Sequence, residues 1–222
     1  DDDVKPCRDW LQLYWEAFNK NPTKYFFGGP IVSDFEGEKP DDALLSMAPC
    51  SVKGLSFGSQ KRILLDSEDF ISANWGASLE VIREAGGFDS NKGLNPASKK
   101  LSTGEETDLM NKLRSMGYLA LYLPDALILH HVPKEKCSLK HIVARCEVGA
   151  FDNHRKYKYP LKTLVLLDKP VGLYIQIFIY FLKYVIKRLM FQNGIGQYIR
   201  LCILISVTKG FENELQMGYV KK

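Results

Sequence analysis

Along this chain, stretches whose apolar residues recur every three to four positions trade places with short runs of β-branched and aromatic residues, and that change of period predicts most of the elements. In "RDWLQLYWEAF", Trp10, Leu13, Tyr14, Ala17 and Phe18 fall on one face at helical spacing, and "NKNP" stops the helix. "KYFFGGPIV" reads as a buried strand broken at Gly28 and Gly29, and residues 33 to 67 read as a long polar loop with short elements. "DFISANWGASLEVIREAGGFD" predicts a strand ending near Asn74, a short helix from about Ser78 to Ala85, and a Gly86-Gly87 cap. "GEETDLMNKLRSMGY" is a helix with carboxylates in its first turn, Leu109, Leu113 and Met116 on one face, and Gly117 at its end. "YLALYLPDALILHHVP" gives two strands around a Pro-Asp turn, the second carrying His130 and His131 to its far end. Strand and helix in alternation predict an α/β fold.

The last third has another pattern. "VGLYIQIFIYFL" is almost wholly apolar, Lys183, Lys187 and Arg188 follow, and after "QNGIG" comes a second apolar run, "YIRLCILISV". Neither reaches the roughly 20 apolar residues of a membrane span. With basic and aromatic residues close by, they predict helices lying in a membrane interface, or a shallow re-entrant pair, against the plainer alternative of core helices.

At 222 residues with 45% hydrophobic content, the chain can bury a good-sized core. Its net charge of +4 makes no case for nucleic acid. The distribution of charge says more. Acidic residues gather at Asp1 to Asp3, Asp34 to Asp42, Asp66 to Asp69 and Glu105 to Asp108, whereas lysine and arginine dominate from Lys134 to Arg200. The front suits a metal, the back an anionic partner. Five cysteines, an odd number with no CxxC pair, read as reduced thiols in a cytosolic compartment.

Three clusters can carry chemistry. Aspartates at i and i+2 of an extended chain lie on one side, so Asp1 and Asp3 can share Mg²⁺ or Mn²⁺ while the ion bridges a diphosphate. A histidine at another strand end completes such a shell and favours Mn²⁺. Glu105 and Glu106, at a helix start, can accept a proton from a hydroxyl. Each has a plainer reading: a terminal acidic run is usually solvated, carboxylates in a first turn usually cap the helix, and a His pair after a strand is usually structural.

In sequence, "DDDV", "GGP", "GGFD", "GEETDL" and "GY…Y.PDA…H" resemble the second half of a family 2 glycosyltransferase of the GT-A fold, from its DxD motif onward, over residues 1–159. The resemblance implies a GT-A-like mixed sheet flanked by helices, with the N-terminal nucleotide-binding half missing, and a basic, apolar helical tail from 160 to 222. It implies Asp1 and Asp3 as metal ligands with His130 beside them and His131 as a lesser candidate. Asp2 would then lie near the ribose, and Asn74 and Trp75 would line the donor or acceptor sugar. The family's Gly-Glu-Asp stands here as Gly104-Glu105-Glu106, which leaves the base open between Glu106 and Glu105.

The reaction implied is inverting transfer from a nucleotide-sugar donor to a saccharide or lipid-linked acceptor, with the loop from Lys92 to Thr103 closing over the donor. The enzyme would be cytoplasmic, peripheral on the inner face of the cell membrane, and this piece alone would have little activity. The alternatives are a non-catalytic scaffold of the same fold, and a phosphotransferase or hydrolase, for which no Gly-rich phosphate loop is present.

Overall fold

The computed structural model describes residues 2–20, 24–89, 105–152, 164–167 and 169–216. Strand β1 (Val4–Pro6) leads to helix α1 (Trp10–Lys20), and β2 (Tyr25–Gly28) and β3 (Ile31–Phe35) follow. The long polar stretch holds short elements: α2 (Asp42–Met47), α3 (Cys50–Lys53) and β4 (Arg62–Ile63). After a 3-10 turn at Ser72–Asn74 come β5 (Trp75–Gly76), α4 (Leu79–Glu84), α5 (Glu105–Ser115), β6 (Leu119–Tyr122) and β7 (Ile128–Val132). The remainder is α6 (Leu139–Asp152), β8 (Val165–Leu166), β9 (Lys169–Pro170), α7 (Val171–Leu189) and α8 (Ile195–Gln216).

The chain forms two compact units, Asp1–Gly37 with Cys50–Pro133, and Glu38–Pro49 with Lys134–Lys222. The expected boundary at residue 159 lies outside the described residues.

The first unit is built on two mixed sheets, ordered β1-β7-β3 and β4-β6-β2-β5. Its frame is a pair of parallel strands that cross from one sheet to the other side by side. β2 pairs with β6 and β3 with β7, both parallel, and the break falls at the same level in each strand. One strand breaks at Gly29-Pro30, the other over 123 to 127. Both glycines of the break are forced by space. A Cβ on Gly28 would run into the Phe70 ring, and one on Gly29 into the Ala126 carbonyl.

The faces of this unit follow the sequence periods. On α1, Ala17 is buried and Trp10, Leu13, Tyr14 and Phe18 pack with it against Phe27, Leu121, Leu123 and Ala126, as the spacing predicts. On α5, Leu109 and Leu113 are buried as expected, but Met110 takes the third place and Met116 is exposed, because the helix ends at Ser115. Gly117, at φ +90, accommodates the stop, and the Tyr118 N–H returns to the Leu113 carbonyl at 3.0 Å. The α4 limits match their signals too: the Ser78 hydroxyl accepts from the Val81 N–H, and Gly86 and Gly87 both take positive φ.

The second unit is helical. Ala150, Leu173, Leu204 and Val207 form its buried cluster, with Ile177, Tyr180, Ile203 and Phe211 packed around them. Asp41 caps α2 by accepting from the Leu44 N–H at 3.0 Å. Among the described residues no helix is long and apolar enough to cross a membrane.

Candidate functional site

The chain enters the sheet unit through Asp2 and Asp3, which lead into β1. Antiparallel pairing places Val4 opposite His130 of β7, and the His131 N–H donates to the Asp3 carbonyl at 2.8 Å. This register sets the Asp3 carboxylate 3.4 Å from His130 Nε2, with the imidazole the more enclosed partner. Successive residues of a strand point to opposite faces, so the histidine pair is divided. His130 lines a cavity of about 210 Å³ with Asp2, Asp3, Ser51 and Ser72. His131 lines another, of about 280 Å³, with Asp34 and Lys5, whose charges lie 3.5 Å apart. The first cavity is smaller than the roughly 300 Å³ at which sites for drug-sized ligands start.

Asn74 controls one wall of that cavity without presenting its own side chain to it. The residue is 1% exposed. Its Oδ1 accepts from Trp10 Nε1 and the Tyr14 hydroxyl, both at 2.9 Å. Its Nδ2 donates to the Pro30 and Ala126 carbonyls at 2.9 and 2.8 Å, the two groups at the break of the parallel strands. With every capacity of the amide filled, none is left for a sugar. The amide holds in place the preceding residues, Ser72 and Ala73, which do line the cavity. Burial pushes the Tyr14 phenol well above its ordinary range, so it stays a neutral donor to this amide. Trp75 is half-buried, edge-on to Phe26 at 6.2 Å and to Phe88 at 6.4 Å.

Glu105 and Glu106 open α5. One Glu105 carboxylate oxygen, Oε2, is buried with no hydrogen-bond partner among the described residues, a costly state for a polar atom. Burial pushes the Glu106 carboxyl above the usual carboxylate range, a hydrogen bond from its own N–H opposes this, and the neighbouring Glu105 charge adds to the rise. A carboxylate with a raised pKa is a better base near neutrality. The other end of α5 is fixed by Arg114, which donates to Asp69 Oδ1 and to the Glu68 carbonyl, both at 2.6 Å, and lies over the Phe26 ring. That anchor ties the helix bearing the glutamates to the segment that leads into Asn74.

Asp2, Asp3 and His130 are thus brought together. Asp1, Gly104 and the Lys92 to Thr103 loop lie outside the described residues. Among the described residues there is no group of three His, Cys, Asp or Glu side chains arranged to hold a metal. Reasoning from sequence did not single out Ser51, Ser72 or Arg114. The two serines sit in stretches without period, and only the isolated charge of Arg114 on the apolar side of a helix gave a signal.

No family model matches the chain, and no solved structure matches it. Over 148 residues it is 22% identical to a glucosyl-dolichyl phosphate glucuronosyltransferase from Haloferax volcanii, an alignment covering 65% of this chain and 45% of that relative. The chain spans about half the length of the curated relative it matches. This likeness supports kinship with glycosyltransferases in general.

Proposed function

We propose that this chain supplies the metal- and acceptor-binding part of an inverting glycosyltransferase of family 2 with a GT-A fold, acting with a nucleotide-sugar donor on a lipid-linked or saccharide acceptor. The observation that carries the reading is the convergence of Asp2, Asp3 and His130 on one small polar cavity from distant parts of the sequence. The distant glucuronosyltransferase relative agrees with it.

The donor set fits a divalent cation. Asp3 and His130 offer one hard oxygen and one imidazole nitrogen, and Mn²⁺ or Mg²⁺ commonly takes one or two protein ligands and fills the rest of its shell with phosphate oxygen and water. Asp1, two positions before Asp3 in the sequence, would be a further ligand. Such an ion, when bound, supplies stabilisation of negative charge on the departing diphosphate. Asp2 lines the same cavity, and in this reading it would contact the ribose or a phosphate-bound water. Glu106 takes the proton from the acceptor hydroxyl as its oxygen attacks the anomeric carbon, with Glu105 beside it as the alternative base. Trp75 supplies an apolar wall near the sugar. The protein would work peripherally on the cytoplasmic face of a membrane, which the basic, apolar helical unit suits, and not on nucleic acid.

The test is turnover by the full-length protein carrying this chain, across UDP-, GDP- and dTDP-sugars, with and without Mn²⁺. Glu106→Gln should lower the transfer rate by about 10²- to 10⁴-fold with donor binding kept, the usual range for a lost general base. Asp3→Asn should cut activity more than Asp2→Asn and raise the Mn²⁺ requirement. Metal-independent turnover, or a Glu106→Gln protein as fast as the parent, refutes the assignment. Absence of any donor binding favours a non-catalytic scaffold.

A further inference from the structure

In the helical unit, α7 carries one apolar stripe that faces its partners. Leu173, Ile177, Tyr180 and Tyr184 follow one another at spacings of three and four, and the first three pack in the cluster with Leu204 and Val207. One turn further, the stripe arrives at Arg188. A guanidinium therefore stands where another apolar side chain would continue the helix contact.

Around it the turn from α7 to α8 leaves a cavity of about 540 Å³, lined by Leu139, Tyr184, Arg188, Asn193, Ile195 and Tyr198, with Gly194 at its floor. The walls are fixed. Asn193 spends its side-chain oxygen on the Ile195 N–H at 2.9 Å. The Tyr184 and Tyr198 rings meet at 5.7 Å, and Tyr184 stands so close to Gly194 that a Cβ there would come within 3.0 Å of it. None of the ion pairs among the described residues involves Arg188. Immediately after it, Leu189, Met190 and Phe191 are exposed, and Phe191, 99% exposed, is held at φ +55. Phe191 follows the C-cap of α7, and its left-handed backbone lets the Gln192 N–H return to the Lys187 carbonyl at 2.8 Å, which closes the helix and fixes the turn beside the cavity.

A cavity of this volume is of ligand size. A cation with no ion pair among the described residues, set among aromatic and aliphatic walls, selects an amphiphile with one anionic head, and the arginine fork matches a phosphate with two parallel hydrogen bonds. We propose that this cavity binds a lipid monophosphate, its head on Arg188 and the first units of its chain between Tyr184, Tyr198, Ile195 and Leu139. The proposal rests on the lipid-linked acceptor of the transferase reading for its biological role, but its binding test uses none of Asp3, His130 or Glu106, so the two can fail separately.

Calorimetric titration of the purified chain with farnesyl phosphate, farnesol and inorganic phosphate tests it. Farnesyl phosphate should bind at least about tenfold more tightly than either farnesol or inorganic phosphate, a gap of about 1.4 kcal/mol. Arg188→Gln, a change at an exposed position, should bring farnesyl phosphate down to the level of farnesol. Leu139→Trp, which fills the cavity mouth from a partly exposed site, should abolish binding of both, and circular dichroism verifies that each variant is folded. Lysophosphatidic acid in place of farnesyl phosphate separates the sources: preference for the prenyl compound supports a prenyl carrier in the cavity, preference for the acyl compound supports a phospholipid. Equal affinity of Arg188→Gln and the parent for farnesyl phosphate overturns the proposal. So does failure of soluble farnesyl phosphate to bind while phosphatidylglycerol vesicles capture Leu139→Trp as well as the parent, since the anion then belongs to the bilayer surface.

Discussion

The sheet unit and the helical unit both bury a core, but they differ in how much apolar surface a single helix leaves open. In the first, Phe26, Leu109, Leu113 and Tyr122 are completely buried, and a fully bonded asparagine sits among the core strands. In the second, α7 buries Leu173 on one side while Ile175, Phe178, Ile179, Leu182, Ile186 and Leu189 form a stripe on the other side that is open to water. A helix apolar on both sides needs a second environment. The sheet unit packs its strands and helices around a polar cavity, whereas the helical unit leaves a continuous apolar stripe of α7 exposed.

The contrast is broken most severely at Asn74. Replacement by leucine strands the Trp10 N–H, the Tyr14 hydroxyl and two backbone carbonyls in a dry interior, at roughly 1–3 kcal/mol for each group that finds no substitute, so a total loss of about 4 kcal/mol is expected. All three tryptophans, Trp10, Trp15 and Trp75, belong to the sheet unit, so urea unfolding followed by their fluorescence reads this unit directly. A loss under about 1 kcal/mol would mean the amide is incidental. Leu113→Ala comes next, at about 3 kcal/mol for a cavity opened at a position with no exposure.

That ranking also shows what could be read from the sequence. The apolar face of α1 and the glycine caps of α4 and α5 were legible because each depends on residues a few positions apart. The join of Asp3 to His130 was legible only as a resemblance, since no local pattern fixes which strand pairs with which. Asn74 was singled out for a sugar contact, whereas the partners its amide takes in the fold lie 44 to 64 positions away. A buried amide differs from one lining a sugar site only through such distant partners. The cavity at Arg188 was invisible for a related reason, because it belongs to a turn between two helices and not to either one.

Acidity separates the contributions within the sheet unit. The Arg62 guanidinium, donating at 2.8 and 2.7 Å, and then the Leu65 N–H, hold Glu68 down at about 2. A carboxylate lowered on folding stabilises the fold above its ordinary value of about 4.5, and this contribution is lost as pH falls from there toward about 2. Glu106 has the opposite sign: its raised pKa means that the folded state holds the proton more tightly, so its contribution is complete below the ordinary value and fades as pH rises through the elevated one. Glu68→Gln should flatten the acid limb of stability against pH, and Glu106→Gln the upper limb, in the tryptophan signal. An unchanged acid limb in Glu68→Gln would show that Arg62 and Glu68 are not paired in solution.

The smallest effect expected is the most telling for the contrast between units. Phe178 is 61% exposed and Leu173, five residues earlier on the same helix, is fully buried. Phe178→Ser and Ile186→Ser should shift unfolding monitored by ellipticity by no more than about 0.5 kcal/mol, as at other open surface sites, whereas Leu173→Ala should cost about 3 kcal/mol. The same two serine changes should lower sedimentation with phosphatidylglycerol vesicles several-fold, because an interfacial helix binds through its buried apolar area together with basic neighbours such as Lys183 and Lys187. If they instead destabilise the chain by about 2 kcal/mol, a value typical of core truncation, the outer stripe has its partner within the protein and the two units follow one rule after all. If stability holds and vesicle binding falls, the apolar residues of α7 serve two environments, and the outer one is a membrane.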